Sequence, residues 1–151
     1  MYLPTMLSTP EPGTRAVHRL ARFITKEAIS LLLNLKPEHI YRIDCWRHVI
    51  HVVGKGISRF VSYADIPPIL GVEPPTHEDF ACWRKRWKKN KYQSPKFWAE
   101  FYTQKFKLAL CLPEMYRWAE LVGMIKFALS EAAVQSLRSV YAQEQYWMDK
   151  F

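Results

Sequence analysis

The sequence is poor in the residues that stabilise small secreted domains. It has three cysteines, Cys45, Cys82 and Cys111, and no two of them form a Cys-x-x-Cys pair. An odd number of widely spaced cysteines argues against a disulfide framework and is typical of reduced thiols inside a cell. The cysteines therefore favour a cytoplasmic protein.

Long apolar runs are also missing. The richest stretch, AISLLLNL at 28–35, is far shorter than the roughly 18 apolar residues that a membrane-spanning helix needs. The first residues, MYLPTMLSTPEPG, contain three prolines and no cation, which fits neither a secretory signal nor a mitochondrial presequence. We therefore expect a soluble chain that has no membrane partner and begins with a flexible arm over 1–13.

Catalytic signatures are equally scarce. No Gly-x-Ser-x-Gly elbow is present, and the Gly-Lys-Gly of 54–56 lacks the spacing and the following hydroxyl residue of a phosphate-binding loop. The carboxylates stand singly apart from Glu78 and Asp79, whereas nucleases that use Mg²⁺ gather several of them. We predict a non-enzymatic protein without a cofactor, and we keep a metal-dependent nuclease as a minor alternative.

One grouping, Asp44, Cys45, His48 and His51, resembles the spacing of a metal site. On a continuous strand, side chains alternate faces and rise by about 3.3 Å per residue, which separates Cys45 from His51 by roughly 20 Å. His48 then points to the other face. Such a set cannot close a tetrahedral zinc site, so the sequence predicts no metal centre here.

Positive charge is abundant, and it is concentrated in two places. The chain has 22 Lys and Arg against 14 Asp and Glu, a net charge of +8. Residues 14–36 hold five cations and one acid, residues 76–107 hold nine and three, and residues 113–151 hold four and five. This asymmetry favours an acidic partner, although a solvated basic face is the plainer alternative.

The first basic segment, residues 14–35, has apolar residues at helical spacing and ends before Pro37, which predicts one amphipathic helix. Four of its cations recur at i, i+4, i+7 and i+11, and this spacing aligns them along about 16 Å of helix axis. The four cations of this stripe are Arg15, Arg19, Arg22 and Lys26. A stripe of this length is suited to following a phosphate backbone.

Residues 41–66 change to β-branched and aromatic composition around Gly54-Lys55-Gly56, which predicts a β-hairpin. A three-residue loop would place Val53 opposite Ile57 and so divide the side chains between a core face and a surface face. The predicted core face is Trp46, Ile50, Val52, Phe60, Ala64 and Ile66. The predicted surface face is Arg47, Val49, His51, Arg59, Val61 and Tyr63, among which Arg47, Arg59 and Tyr63 are candidate nucleic-acid contacts.

After a proline-bounded connector over 67–75, Thr76 and the acids that follow it predict a helix that runs to about Lys89. Ser94, followed by Pro95, predicts the N-cap of another helix that runs to about Leu110. Residues 113–151 continue a helical apolar stripe, and the sequence leaves open whether they form one long helix or two.

The second basic segment is WRKRWKKNKY at 83–92, which has six cations, two tryptophans, a tyrosine and no acid. The spacing of Phe80, Trp83 and Trp87 predicts that these rings anchor the helix in the core, which leaves the cations outside. Cations neutralise phosphates, and aromatic rings can stack on unpaired bases. The candidate phosphate contacts are Arg84, Lys85, Arg86, Lys88, Lys89 and Lys91.

These patterns predict a mostly helical α+β protein in which one β-hairpin, at about 41–66, packs against four or five helices. Residues 14–151 are expected to form a single globular domain. We expect the protein to bind RNA or single-stranded DNA in preference to duplex DNA, alone or as a subunit of a larger nucleoprotein complex. The alternative is a protein–protein adaptor or regulatory subunit that docks an acidic partner.

Overall fold

The computed structural model describes residues 18–150, which form two compact units; the first ends at Ile66 and the second begins at Pro67. The arm predicted over 1–13 lies outside the described residues. The described part of the chain contains five α-helices and a three-stranded antiparallel sheet, which confirms the predicted mostly helical α+β class. The single domain expected over 14–151 stays a prediction.

The first unit begins with a 3-10 helix, Arg19–Phe23, which is followed by α1, Lys26–Leu33. Thr25 separates the two helices, because its backbone is extended and its Oγ1 accepts a backbone N–H from the first turn of α1 at 3.1 Å. Asn34 ends α1 in the left-handed conformation, with φ of 57°. The single helix predicted over 14–35 is therefore wrong, since a side-chain cap within it starts a second helix.

The sheet has strand order β1-β2-β3, with β1 at Ile40–Cys45, β2 at Ile50–Gly54 and β3 at Ile57–Val61. The predicted hairpin is present as β2 and β3. The segment expected to be its first strand turns back after β1, where the N–H of Trp46 donates to the carbonyl of Val49 at 3.0 Å. The sheet therefore has one strand more than the predicted hairpin. Short 3-10 helices flank it at Pro37–His39 and Tyr63–Asp65.

The register of the hairpin differs by one residue from the prediction. Gly54 pairs with Ile57, so the loop consists of Lys55 and Gly56 alone. Gly56 adopts φ of 73°, a conformation that favours glycine. A Cβ on Gly54 would lie 2.5 Å from the carbonyl oxygen of His39, so glycine is required at this position in the strand.

A shift of one residue exchanges the two faces of a strand. Val61, predicted on the surface, is buried in the structure, whereas Trp46 and Phe60, predicted in the core, are 47% and 63% exposed. Ile50 and Val52 are buried as predicted. The largest fully buried side chains of this unit are Leu20, Phe23, Ile29, Ile50 and Ile66.

The second unit is helical. Its α-helices are α2 at His77–Arg86, α3 at Lys96–Leu108, α4 at Leu112–Ile125 and α5 at Glu131–Lys150, with 3-10 helices at Lys88–Asn90 and Lys126–Ala128. The backbone N–H of Ala133 donates to Ser130 Oγ at 3.1 Å, and this cap begins α5 as a separate helix. The sequence left open whether residues 113–151 form one helix or two, and the structure shows two.

Ser94 is not the N-cap of α3 as predicted, because Pro95 holds that position without a side-chain cap hydrogen bond. Instead, the backbone N–H of Ser94 donates to the carbonyl of Ala128 at 2.8 Å and ties the segment before α3 to the 3-10 helix that follows α4. Helix α3 packs against both α4 and α5. No helix within residues 18–150 combines the length and the hydropathy needed to cross a bilayer.

Candidate nucleic-acid interface

The second basic segment, residues 83–92, lies on α2 and the turn that follows this helix. Thr76 and Asp79 form a reciprocal cap at the start of α2. The N–H of Asp79 donates to Thr76 Oγ1 at 3.2 Å, and the N–H of Thr76 donates to Asp79 Oδ2 at 2.8 Å. The predicted helix start at Thr76 is confirmed, and α2 ends slightly earlier than predicted, at Arg86.

Trp83 and Trp87 anchor this segment in the core of the second unit. They are 0% and 3% exposed, and their rings are parallel with centroids 6.2 Å apart. Trp98 of α3 packs edge-on against both rings, with centroid distances of 5.1 and 4.9 Å. The prediction that the two tryptophans are core anchors rather than stacking platforms is confirmed.

The six cations of the same segment are all exposed. Within the described part of the chain, none of them forms an ion pair with an acid. These cations are Arg84, Lys85, Arg86, Lys88, Lys89 and Lys91. Six positive charges within eight residues therefore face solvent without an acidic partner among residues 18–150, and such a surface attracts anions.

The turn after α2 determines the positions of Lys91 and Tyr92. The carbonyl of Trp87 accepts the N–H groups of Asn90 at 2.8 Å and Tyr92 at 3.0 Å. Lys91 and Tyr92 have φ of 54° and 63°, a conformation that residues other than glycine adopt only rarely. Two successive residues of this kind carry backbone strain, and the hydrogen bonds of the turn offset part of it.

An open cavity of about 570 Å³ lies beside this turn. Among the described residues, its lining contains four aromatic residues and two cations and no acid. The lining residues are Phe80, Arg84, Trp87, Lys91, Tyr92, Gln93, Phe127 and Ala128. The ring of Phe127 lies 4.9 Å from that of Phe80 between centroids, and its centroid lies 5.9 Å from the guanidinium carbon of Arg84. The 3-10 helix after α4 thus contributes one wall of the cavity, and α2 contributes another.

The first basic segment is arranged differently. Arg15 lies outside the described residues, and the break at Thr25 places Arg19 and Arg22 on the 3-10 helix and Lys26 on α1. The guanidinium of Arg22 donates to the carbonyl of Arg19 at 2.7 Å and lies 4.2 Å above the ring of Phe23. Arg22 therefore contributes to local packing, and the three described cations do not follow one helical stripe.

Tyr63, one of the three candidate contacts on the hairpin, is buried. Its ring stacks on that of His18 with centroids 3.9 Å apart, and its hydroxyl donates to the carbonyl of Trp46. Burial raises the pKa of Tyr63 far above its usual value, and the neighbouring Cys45 raises it further. The structure therefore removes Tyr63 from the candidate contacts. Arg47 and Arg59 remain exposed.

Sequence reasoning missed a group of three rings in the first unit, of which Trp46 and Phe60 are exposed and His51 is largely buried. The centroid distances are 5.1 Å for Trp46–His51, 5.6 Å for Trp46–Phe60 and 5.0 Å for His51–Phe60. The assumed three-residue loop placed Trp46 and Phe60 in the core. The signal that could have found this group is the pair Lys55-Gly56, because two-residue loops are the commonest hairpin connections.

The turn between β1 and β2 also brings Asp44 and His51 together, although a continuous strand would separate them. His51 Nδ1 lies 3.9 Å from Asp44 Oδ2, and Arg42 Nε donates to the same oxygen at 2.8 Å. Burial raises the pKa of Cys45 to about 11, which disfavours the thiolate that binds metals or attacks substrates. Over residues 18–150, no three His, Cys, Asp or Glu side chains are grouped so that they could hold a metal ion.

The chain matches no protein-family model, no curated protein and no solved structure. The second basic segment has more exposed cations than the hairpin or the described part of the first basic segment, and its adjoining cavity places exposed rings beside two of them.

Proposed function

We propose that this protein binds single-stranded nucleic acid, either RNA or single-stranded DNA, alone or within a larger nucleoprotein complex. The observation that carries the proposal lies in residues 83–92, where the tryptophans are buried and six cations are exposed without an acidic partner among the described residues. Lys and Arg side chains neutralise phosphates and release the counterions that surround the strand. This gives affinity that depends little on sequence.

Exposed rings beside the cations favour an unpaired strand over a duplex. Tyr92 and Phe127 are 53% and 57% exposed, and both line the cavity that Arg84 and Lys91 also line. Bases inside a duplex are already stacked on each other, whereas unpaired bases can stack on protein rings. In the first unit, the exposed side chains of Arg19, Lys26, Arg47 and Arg59 are further candidate phosphate contacts.

The salt dependence of binding tests this proposal. Six phosphate contacts to a single strand give a slope of about −4 in a plot of the logarithm of the association constant against the logarithm of salt concentration. We expect such a slope in a fluorescence-anisotropy titration with a labelled single-stranded oligonucleotide. A flat salt response would reject electrostatic binding to the phosphates.

Charge reversal locates the binding surface. The triple variant Arg84→Glu, Lys85→Glu and Lys88→Glu should weaken binding by at least about a hundredfold at low salt, because each reversal removes an attraction and adds a repulsion. The matched control reverses three exposed cations elsewhere in the second unit, Arg117, Arg138 and Lys150. Both variants have the same net charge, so equal affinity of the two would exclude a specific role for residues 83–92.

A protein–protein adaptor is the second candidate function, and an apolar patch in the second unit favours it. Leu110 is 91% exposed between α3 and α4, and it lines a shallow cavity together with Trp147 and Met148 of α5. Exposed apolar surface of this kind is typical of protein interfaces. In nuclease-treated extract at high salt, a partner whose capture is lost in the variant Leu110→Ser and Trp147→Ser would support the adaptor.

A further inference from the structure

We infer that the cavity beside α2 binds one unpaired nucleotide of the strand, with the base against the aromatic walls and the phosphate at Arg84 and Lys91. This inference rests on the proposed function and extends it, because it adds a site for the base to a surface proposed to bind phosphates. The cavity volume of about 570 Å³ lies in the ordinary range of small-molecule sites.

The chemistry of the cavity walls matches both parts of a nucleotide. Phe80, Tyr92 and Phe127 offer flat apolar surfaces, and each base has a π-face that can stack on such a ring. Arg84 and Lys91 line the same cavity, and no acid lines it within the described part of the chain. A planar ligand that carries a negative charge is therefore complementary to the cavity in shape and in charge.

The position of Arg84 links the two parts of the site. Its guanidinium carbon lies 5.9 Å from the centroid of the Phe127 ring, within the range of a cation–π contact. A base that stacks on Phe127 is thus within reach of the guanidinium, which can contact the adjoining phosphate in a bidentate geometry.

The turn after α2 supports preorganisation of the site. Lys91 and Tyr92 both have positive φ, and the carbonyl of Trp87 holds the turn through two hydrogen bonds. Strained backbone of this kind is found at ligand-binding sites more often than elsewhere. Trp87 is itself buried against Trp83 and Trp98, so the turn is attached to the core.

An unpaired nucleotide fits these features better than a base pair. In a duplex the faces of the bases are covered by their neighbours, and extruding one base costs unstacking energy. An unpaired strand presents a base and its phosphate together at a much smaller cost, because no base pair has to be broken. The site therefore distinguishes single strands from duplexes through the base as well as through charge.

The test compares a labelled single-stranded oligonucleotide with an abasic strand of the same length, which retains every phosphate. The full chain should bind the oligonucleotide about tenfold more tightly than the abasic strand, because base stacking is lost in the second case. In Phe127→Ala this difference should disappear, while the affinity for the abasic strand and the salt slope stay unchanged. Tyr146→Ala is the control, since Tyr146 is an equally exposed ring outside the cavity.

A second variant guards against an effect on folding. Tyr92→Gly removes a ring at a position whose positive φ suits glycine, so we expect it to keep the fold and to lose the preference for the base-containing strand. Equal binding of both strands by the wild type, with the salt dependence intact, would overturn the nucleotide site and leave the proposed function standing. If the wild type binds neither strand, the proposed function itself is wrong and the inference falls with it.

Discussion

The two basic segments have the same sign of charge, but the structure gives their cations different roles. In the first segment, Arg22 packs over Phe23 and donates to a backbone carbonyl. In the second segment, the tryptophans provide the core packing, and the six cations, including Arg84 beside the ring of Phe127, remain exposed without an acid beside them in the described part of the chain. The comparison shows that the number of cations in a segment does not determine how many of them can contact a partner.

Both segments are anchored by buried aromatic rings. Removing one of these rings should have the largest effect on the stability of the protein. Phe23 and Trp83 are fully buried, so Phe23→Ala and Trp83→Ala should each lower the free energy of unfolding by about 3–5 kcal/mol. Thermal or urea denaturation followed by circular dichroism measures this loss. The control Lys85→Ala alters only an exposed side chain and should change stability by less than about 0.5 kcal/mol. A loss below 1 kcal/mol for either aromatic variant would contradict its role as an anchor.

Charge reversal in each segment tests whether their cations differ in function. Arg84→Glu with Lys88→Glu should weaken binding to a single-stranded oligonucleotide by at least about tenfold at low salt. Arg19→Glu with Lys26→Glu changes the charge equally and should weaken it less than about threefold, because these cations lie on two separate helices. Anisotropy titrations of both variants measure the two effects. Equal losses would show that the two segments contribute alike.

The stability of the protein should depend on pH through His18 of the first unit. Burial lowers the pKa of His18, and the positive charges of His48 and Arg19 lower it further. Because the folded state disfavours the charged form of His18, the contribution of this group to the free energy of unfolding is fully present above its unfolded pKa of about 6.5. It is lost as the pH falls below that value. Protonation also removes the acceptor for the N–H of Leu20 at His18 Nδ1.

The variant His18→Asn checks this expectation, because its side-chain oxygen can accept the same N–H but does not titrate in this range. Denaturation between pH 5 and pH 8 should show a smaller loss of stability in the variant than in the wild type. Identical pH profiles would mean that His18 does not contribute to acid sensitivity.

The smallest expected effect concerns single arginines. Arg22→Ala should lower the free energy of unfolding by about 0.5–1 kcal/mol, because it removes a cation–π contact and a hydrogen bond to a carbonyl. Arg86→Ala removes an exposed side chain and should stay within about 0.5 kcal/mol of the wild type. Urea denaturation of the two variants measures the difference. A larger loss for Arg86→Ala would reverse the comparison.

Local patterns predicted those parts of the fold that depend on neighbouring residues. The helix start at Thr76, the burial of Trp83 and Trp87, and the hairpin around Gly54 are all confirmed. Each follows from hydrogen bonds or periodicity within a few residues. The prediction of one continuous first helix was wrong because of another local hydrogen bond: the side-chain cap at Thr25 competes with continuation of the helix.

The candidate site could be predicted only in part. The cations of 83–92 were identified as candidates, but the cavity was not, because Phe127 joins Phe80 and Tyr92 only after α4 has folded back. Tyr63 was a candidate contact because the assumed register placed it on the surface. The two-residue loop exposes Phe60, and Tyr63 lies beyond β3 in a 3-10 helix, where its buried ring stacks on His18.

The sequence by itself determined the mostly helical α+β composition, the positions of most turns and the two concentrations of positive charge. Local hydrogen bonding, hydrophobic periodicity and charge are all properties of short segments, so they can be inferred without tertiary contacts. Only the tertiary structure decided which aromatic rings face solvent, which arginines are used in packing, and that the turn after α2 borders a cavity with Phe127. These depend on contacts between residues far apart in sequence, which periodicity within one segment cannot specify.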